Sequence, residues 1–118
     1  MVGVPHLESK DFNPDMSLKS YVCQGKPVVV MCQGVFCGYC TQAKPDFIAF
    51  CKESKNVIGC TLQIDDSSAR DVASKISLLD KDYRGVPVYL GFNKNGKYVR
   101  THDGGRDKIS IIEFANSL

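Results

Sequence analysis

The sequence predicts an α/β protein whose central mixed sheet, mostly parallel with a C-terminal antiparallel hairpin, is flanked by helices on both faces. Three observations carry this. Apolar runs of strand length alternate with stretches whose apolar residues recur at helical spacing, the pattern of strand–helix–strand units. The run from Pro27 to Cys32 is apolar throughout and rich in valine, as suits a strand buried on both faces. Asn95-Gly96 sits between two further strand-like runs and fits a type I′ hairpin turn.

In chain order, residues 4–7 read as a weak first strand. Asn13-Pro14 suits a helix start, with Asn as cap and Pro at the first helical position, and the helix should run to about residue 22 before Gly25. The buried strand at 27–32 follows. A short loop then delivers Cys37-Gly38-Tyr39-Cys40 to the start of a helix reaching about residue 54, with Phe47, Phe50 and Cys51 on its apolar face and Pro45 kinking it.

Residues 57–64 form another strand. Ser68 and Asp71 stand at capping-box spacing, and Ala69, Val72, Ala73, Ile76 and Leu79 mark one helical face. Residues 86–92 read as a strand with Pro87 near its start, and 97–101 return antiparallel. A last helix carries Ile111, Phe114, Ala115 and Leu118 on one side. The expected order is β-α-β-α-β-α-β-β-α, without repeats or linkers.

The chain has 118 residues, 43% hydrophobic and 24% charged, and its net charge is +2. That length makes one domain, residues 1–118, able to close its own core. So small a charge, with no long basic run, argues against a nucleic-acid or membrane-surface partner. The first ten residues lack a positive start followed by an apolar stretch, so a cytoplasmic location is expected, and a monomer.

Of six cysteines, only Cys37 and Cys40 form a close pair, and the irregular spacing of the rest does not suggest a disulfide framework. Two cysteines three apart at a helix start can reach each other and alternate between dithiol and disulfide. Cys37 lies where unpaired N–H groups and the helix dipole favour a thiolate, while Cys40 is one turn further in and more covered. A thiol pKa lowered from ~8.5 to ~7 raises the thiolate fraction at pH 7 about 16-fold, and lower nucleophilicity gives back ~5-fold. The larger gain is a tethered second thiol, already placed to attack a mixed disulfide.

Gly38 leaves the space above the pair open. Tyr39 either lines a groove for a substrate chain or simply fills a loop. Zinc would need two further ligands at suitable spacing, which the sequence lacks, so no metal and no cofactor is expected. Inert packing of the pair is disfavoured because helix starts expose side chains. Cys32, Cys51 and Cys60 read as small hydrophobes, and Cys23, near the end of the first helix, as the candidate for a second exposed thiol. His6 and His102 have no partner spacing for metal or base work. Asp65, Asp66 and Asp71 read as helix-start residues, and Lys44, Lys52 and Lys55 as a solvated face.

Phe36-Cys-Gly-Tyr-Cys40 resembles the aromatic-Cys-Gly-X-Cys site of the thioredoxin family. Pro45 stands where that family kinks its active-site helix, and Arg84-Gly-Val-Pro-Val88 is similar to its Arg-Gly-(Ile/Val)-Pro-Thr segment. Asn93-Lys-Asn-Gly-Lys97 is similar to the hairpin that follows, and Gly104-Gly105 to a glycine closing the substrate groove. The resemblance spans residues 4–118 and implies the thioredoxin fold. It makes Cys37 the attacking thiolate and Cys40 the resolving thiol. Val86 and a cis-Pro87 would give main-chain hydrogen bonds to an extended substrate segment, and Phe36 and Gly105 would line the groove.

The departures are specific. The family buries a carboxylate six residues before its first cysteine, and here that position is Met31; the lysine that accompanies it aligns with Thr61. Phe36 replaces the usual Trp, and the segment from 65 to 87 is about two helical turns longer than usual. Gly-Pro between the cysteines is usual in reductants, whereas Gly-Tyr is similar to bacterial periplasmic isomerases. The expected activity is thiol–disulfide exchange with protein disulfides or dithiols, as a disulfide reductase served by a thiol reductant or a thioredoxin-reductase-like donor. An isomerase or oxidase of the same fold is the alternative, as is a binding module with little turnover.

Overall fold

The computed structural model describes residues 4–118, so the first three residues of the N-terminal stretch discussed above lie outside it. Five strands form one sheet in the order β1-β3-β2-β4-β5: β1 (His6–Leu7), β2 (Val28–Gln33), β3 (Ile58–Gln63), β4 (Val88–Phe92) and β5 (Tyr98–Thr101). β2 pairs in parallel with β3, which pairs in parallel with β1. β4 alone runs the other way, antiparallel to both β2 and β5, so the antiparallel side begins at the centre of the sheet.

Every residue of β2 is buried, as the apolar run from Val28 to Cys32 requires of a central strand covered on both faces, and Gln33 at its end is buried with them. Its side chains alternate between two layers. Val28, Val30 and Cys32 join Leu7, Leu18, Val72 and Ile76, under α1 (Ser20–Cys23), α3 (Arg70–Ala73) and α4 (Ile76–Leu79). Val29 and Met31 join Phe47, Phe50, Ile111 and Phe114, under α2 (Gly38–Glu53) and α5 (Lys108–Ala115). The cysteine pair lies in this second layer.

Three local expectations are corrected. The helix expected over 14–22 is reduced to α1, preceded by a 3-10 turn at Ser9–Asp11. Asp15 Oδ1 accepts from both the N–H and the hydroxyl of Ser17, at 3.0 and 2.6 Å, and Met16 takes a φ of 69°. Asn13 and Ser17 thus close a turn between Phe12 and Leu18, since these short polar side chains offer the backbone bonds that compete with a helix.

The helix expected over 69–79 is broken at Ser74 and Lys75. The Ser74 hydroxyl donates to the Asp71 carbonyl at 2.6 Å, and the Lys75 N–H turns back to Val72 O, which interrupts the ladder. Its start is capped by Asp66, whose Oδ1 accepts from the Ser68 N–H, instead of by Ser68.

The β4–β5 connection is a hairpin but not of type I′, because Asn95 does not share the positive φ of Gly96. Asn93 to Gly96 form a turn closed by Gly96 N–H on Asn93 O, and Gly96, at φ 81°, makes the extra left-handed step before Lys97. A Cβ at Gly96 would also run into the Leu18 carbonyl.

Candidate active site

The loop leaving β2 is tied at two points. The Cys37 N–H donates to Gly34 O at 3.2 Å, closing a turn, and a Cβ on Gly34 would sit 2.6 Å from the Phe36 ring. The Val35 N–H donates to Asp65 Oδ2 at 3.0 Å. Asp65 therefore holds the active-site loop rather than a helix start. Phe36 is left 71% exposed beside the pair.

Cys37 is itself the N-cap of α2, and its Sγ accepts from the Cys40 N–H at 3.0 Å. A free helical N–H aimed at the sulfur favours negative charge there. The two cysteines are joined in a disulfide with Cα atoms 5.2 Å apart. Cys37 is 8% exposed and Cys40 is fully buried, so only the first offers an edge to a partner. Gly38 leaves open space above them.

Val86 meets the pair from the far side, its carbonyl oxygen 3.6 Å from Cys37 Sγ, and the Val86–Pro87 bond is cis. Tyr39, 66% exposed, lies under the Arg106 guanidinium, 5.6 Å from the ring centroid. With Gln42, Ala43, Asp46 and Asp107 these two wall a cleft of about 280 Å³. Gly105 lies in the exposed loop preceding Arg106, where its carbonyl is bonded to His102 Nε2 at 2.7 Å, and Arg106 beside it reaches Tyr39 of the active-site turn. A larger cleft of about 580 Å³ lies between residues 13–25 and the β4–β5 turn, and neither Cys37 nor Cys40 lines it.

Met31 lies fully buried in the same layer as the pair, and Thr61 is its register partner on β3. The Thr61 hydroxyl is hydrogen-bonded to His6 Nδ1, giving His6 a partner that its sequence spacing did not reveal. Burial pushes the His6 pKa down.

Cys23 is corrected from an exposed thiol to a core residue, 2% exposed, because the shortened α1 turns it toward the sheet; burial pushes its pKa up. Burial likewise pushes Cys32, Cys51 and Cys60 up to about 12. Two buried polar atoms lack a hydrogen-bond partner among the described residues: Gln33 Oε1 and the Tyr89 hydroxyl. Neither stood out in the sequence, although a lone glutamine closing an otherwise apolar strand was a visible signal at Gln33. Among the described residues there is no cluster of three metal-ligating side chains, and no helix is long and apolar enough to cross a membrane.

A strand ending in a helix-capping cysteine, with its partner one turn inside and a facing Val-Pro segment, is the layout of thioredoxins, and the family profile Thioredoxin matches residues 5–117. The chain belongs to the thioredoxin family, and Cys37–Cys40 gives it the site of a thiol–disulfide oxidoreductase in the general sense. It is 26% identical to a thioredoxin-like protein, 453L, of Invertebrate iridescent virus 6, over 94% of this chain and 91% of that one. Among solved structures it is similar to thioredoxin f from spinach chloroplast (short form), at a TM-score of 0.71 and 21% identity over 97% of this chain and 91% of that one. It is similar also to Chlamydomonas reinhardtii thioredoxin f2, at a TM-score of 0.72 and 19% identity over 98% and 95%.

Proposed function

We propose that the protein is a thioredoxin-like disulfide reductase acting on protein disulfides. The observation that carries this reading is the inequality of the two sulfurs: Cys37 Sγ receives a helix N–H and has an exposed edge, and Cys40 is sealed. In the reduced protein the Cys37 thiolate attacks one sulfur of a substrate disulfide, whose other sulfur leaves as a thiolate and takes up a proton. Cys40 then gives its proton to solvent or to the departing substrate thiolate and attacks Cys37 Sγ. The Cys37–Cys40 bond forms, the second substrate thiol is released, and two electrons have passed to the substrate. A thiol reductant or thioredoxin-reductase-like donor restores the dithiol.

During the mixed disulfide, the Val86 carbonyl, 3.6 Å from Cys37 Sγ, and the neighbouring Pro87 serve an extended substrate segment lying beside its disulfide. Phe36, Gly38, Tyr39 and Gly105 border that segment. The proposed setting is the cytoplasm.

Gly38-Tyr39 between the cysteines favours a second reading, an isomerase or oxidase using the same pair, and the absence of a carboxyl at Met31 motivates a third, a binding module with little turnover. The reduction potential separates the first two. A value near that of thioredoxin, about −270 mV, with insulin-reduction turnover, supports the reductase, and a value above about −200 mV supports the other direction. Unaltered partner binding by a Cys37→Ser, Cys40→Ser double variant, together with negligible turnover by the wild type, would replace both readings with that of a binding module.

A further inference from the structure

Gln33 ends β2, two residues past Met31 and one before the loop that carries the cysteines. By the alternation of side chains along the strand, it continues the set of Val29 and Met31, which faces the layer containing Cys37 and Cys40. It is 2% exposed, and its Oε1 has no hydrogen-bond partner among the described residues. A buried acceptor without a donor is costly, and such groups call for a specific explanation, redox roles among them.

The oxidation state of the pair supplies one. With the Cys37–Cys40 bond formed, Cys40 Sγ carries no hydrogen to donate. Reduction by a dithiol breaks that bond, delivers two electrons and two protons, and creates a Cys40 S–H in the same sealed layer. The donor dithiol is itself oxidised to a disulfide.

We propose that Gln33 is a positioning residue for this couple, whose Oε1 accepts the Cys40 thiol hydrogen in the dithiol and mixed-disulfide states and loses that partner when the disulfide closes. This rests on the exchange reaction proposed above. A neutral amide cannot take the proton, so it does not replace the carboxyl absent at Met31. It keeps Cys40 protonated and aligned until the departing substrate thiolate accepts the hydrogen. Because the bond exists in only one of the two states, it draws the equilibrium toward the dithiol and makes the protein a weaker reductant than it would otherwise be.

The test is equilibration of wild type, Gln33→Leu and Gln33→Met with glutathione buffers, folding being checked by circular dichroism. Each variant should shift the equilibrium about five-fold toward the disulfide, ~20 mV to more negative potential. In the wild-type protein the side-chain carbonyl carbon resonance of Gln33 should move on reduction. A folded variant whose potential matches wild type, or a Gln33 resonance unmoved by reduction, would overturn the assignment while leaving the exchange reaction intact. A wild type with no reversible dithiol–disulfide couple would remove both.

Discussion

Cys37 Sγ lies 3.6 Å from the carbonyl oxygen of Val86, a residue 49 positions further along the chain. One sulfur, one backbone acceptor and a short proline-bearing segment thus meet at the end of the sheet, although no local sequence feature joins them. In the proposed exchange, a substrate chain entering there would meet the Val86 carbonyl and Cys37 Sγ together.

Cys37→Ser should reduce insulin-reduction turnover to the uncatalysed background. Cys40→Ser should instead accumulate covalent adducts with substrate, because the second displacement has lost its nucleophile. Non-reducing gels and intact-protein mass spectrometry read both outcomes. An active Cys37→Ser protein would contradict the assigned roles.

Alkylation of the reduced protein near pH 8 should add one group, at Cys37. Cys40 is sealed, and burial holds the thiols of Cys32, Cys51 and Cys60 at about 12 and raises that of Cys23. Mass spectrometry should count one adduct on the native protein, and six once urea exposes the rest.

Met31→Asp, which restores the family's usual acid, should destabilise the protein by about 3–5 kcal/mol at pH 7, since Thr61 offers the buried carboxylate no countercharge. Burial would raise the carboxyl's pKa. Its destabilisation is therefore complete above that raised value and is relieved as pH falls through it. Urea midpoints of the variant should approach wild type on acidification, and adding Thr61→Lys should recover part of the loss at pH 7.

Asp15 is held at about 2, below its ordinary 3.8, chiefly by the hydroxyl and N–H of Ser17 and then by Lys97. A depressed carboxyl stabilises the fold above its unfolded pKa, and that contribution disappears as pH falls through the folded value. Stability should accordingly drop between about pH 4 and pH 2. Asp15→Asn should flatten that part of the urea-midpoint profile, with Asp66 and Asp107, also lowered by serine partners, supplying the remaining slope.

The sheet and the redox pair were legible because their signals are periodic or contiguous. β2 announces itself by the unbroken apolar run from Val28 to Cys32, and α2 by a cysteine spacing tied to a helix start. The turn at residues 13–17 and the break at Ser74 were hidden, because each depends on one side-chain hydrogen bond outcompeting a helical one. The burial of Cys23 followed from the first of these losses. The Arg106–Tyr39 contact, the Asp65 tether and the Thr61–His6 bond join residues far apart in sequence, and no spacing rule reveals such pairs.

The bond from the Val35 N–H to Asp65 ties the loop before Cys37 to the segment after β3. Slow hydrogen exchange at the Val35 amide would report on both at once. Proteolytic nicking near residues 65–68 would then loosen the loop bearing Cys37, disturbing sulfur chemistry from a site that contains no sulfur.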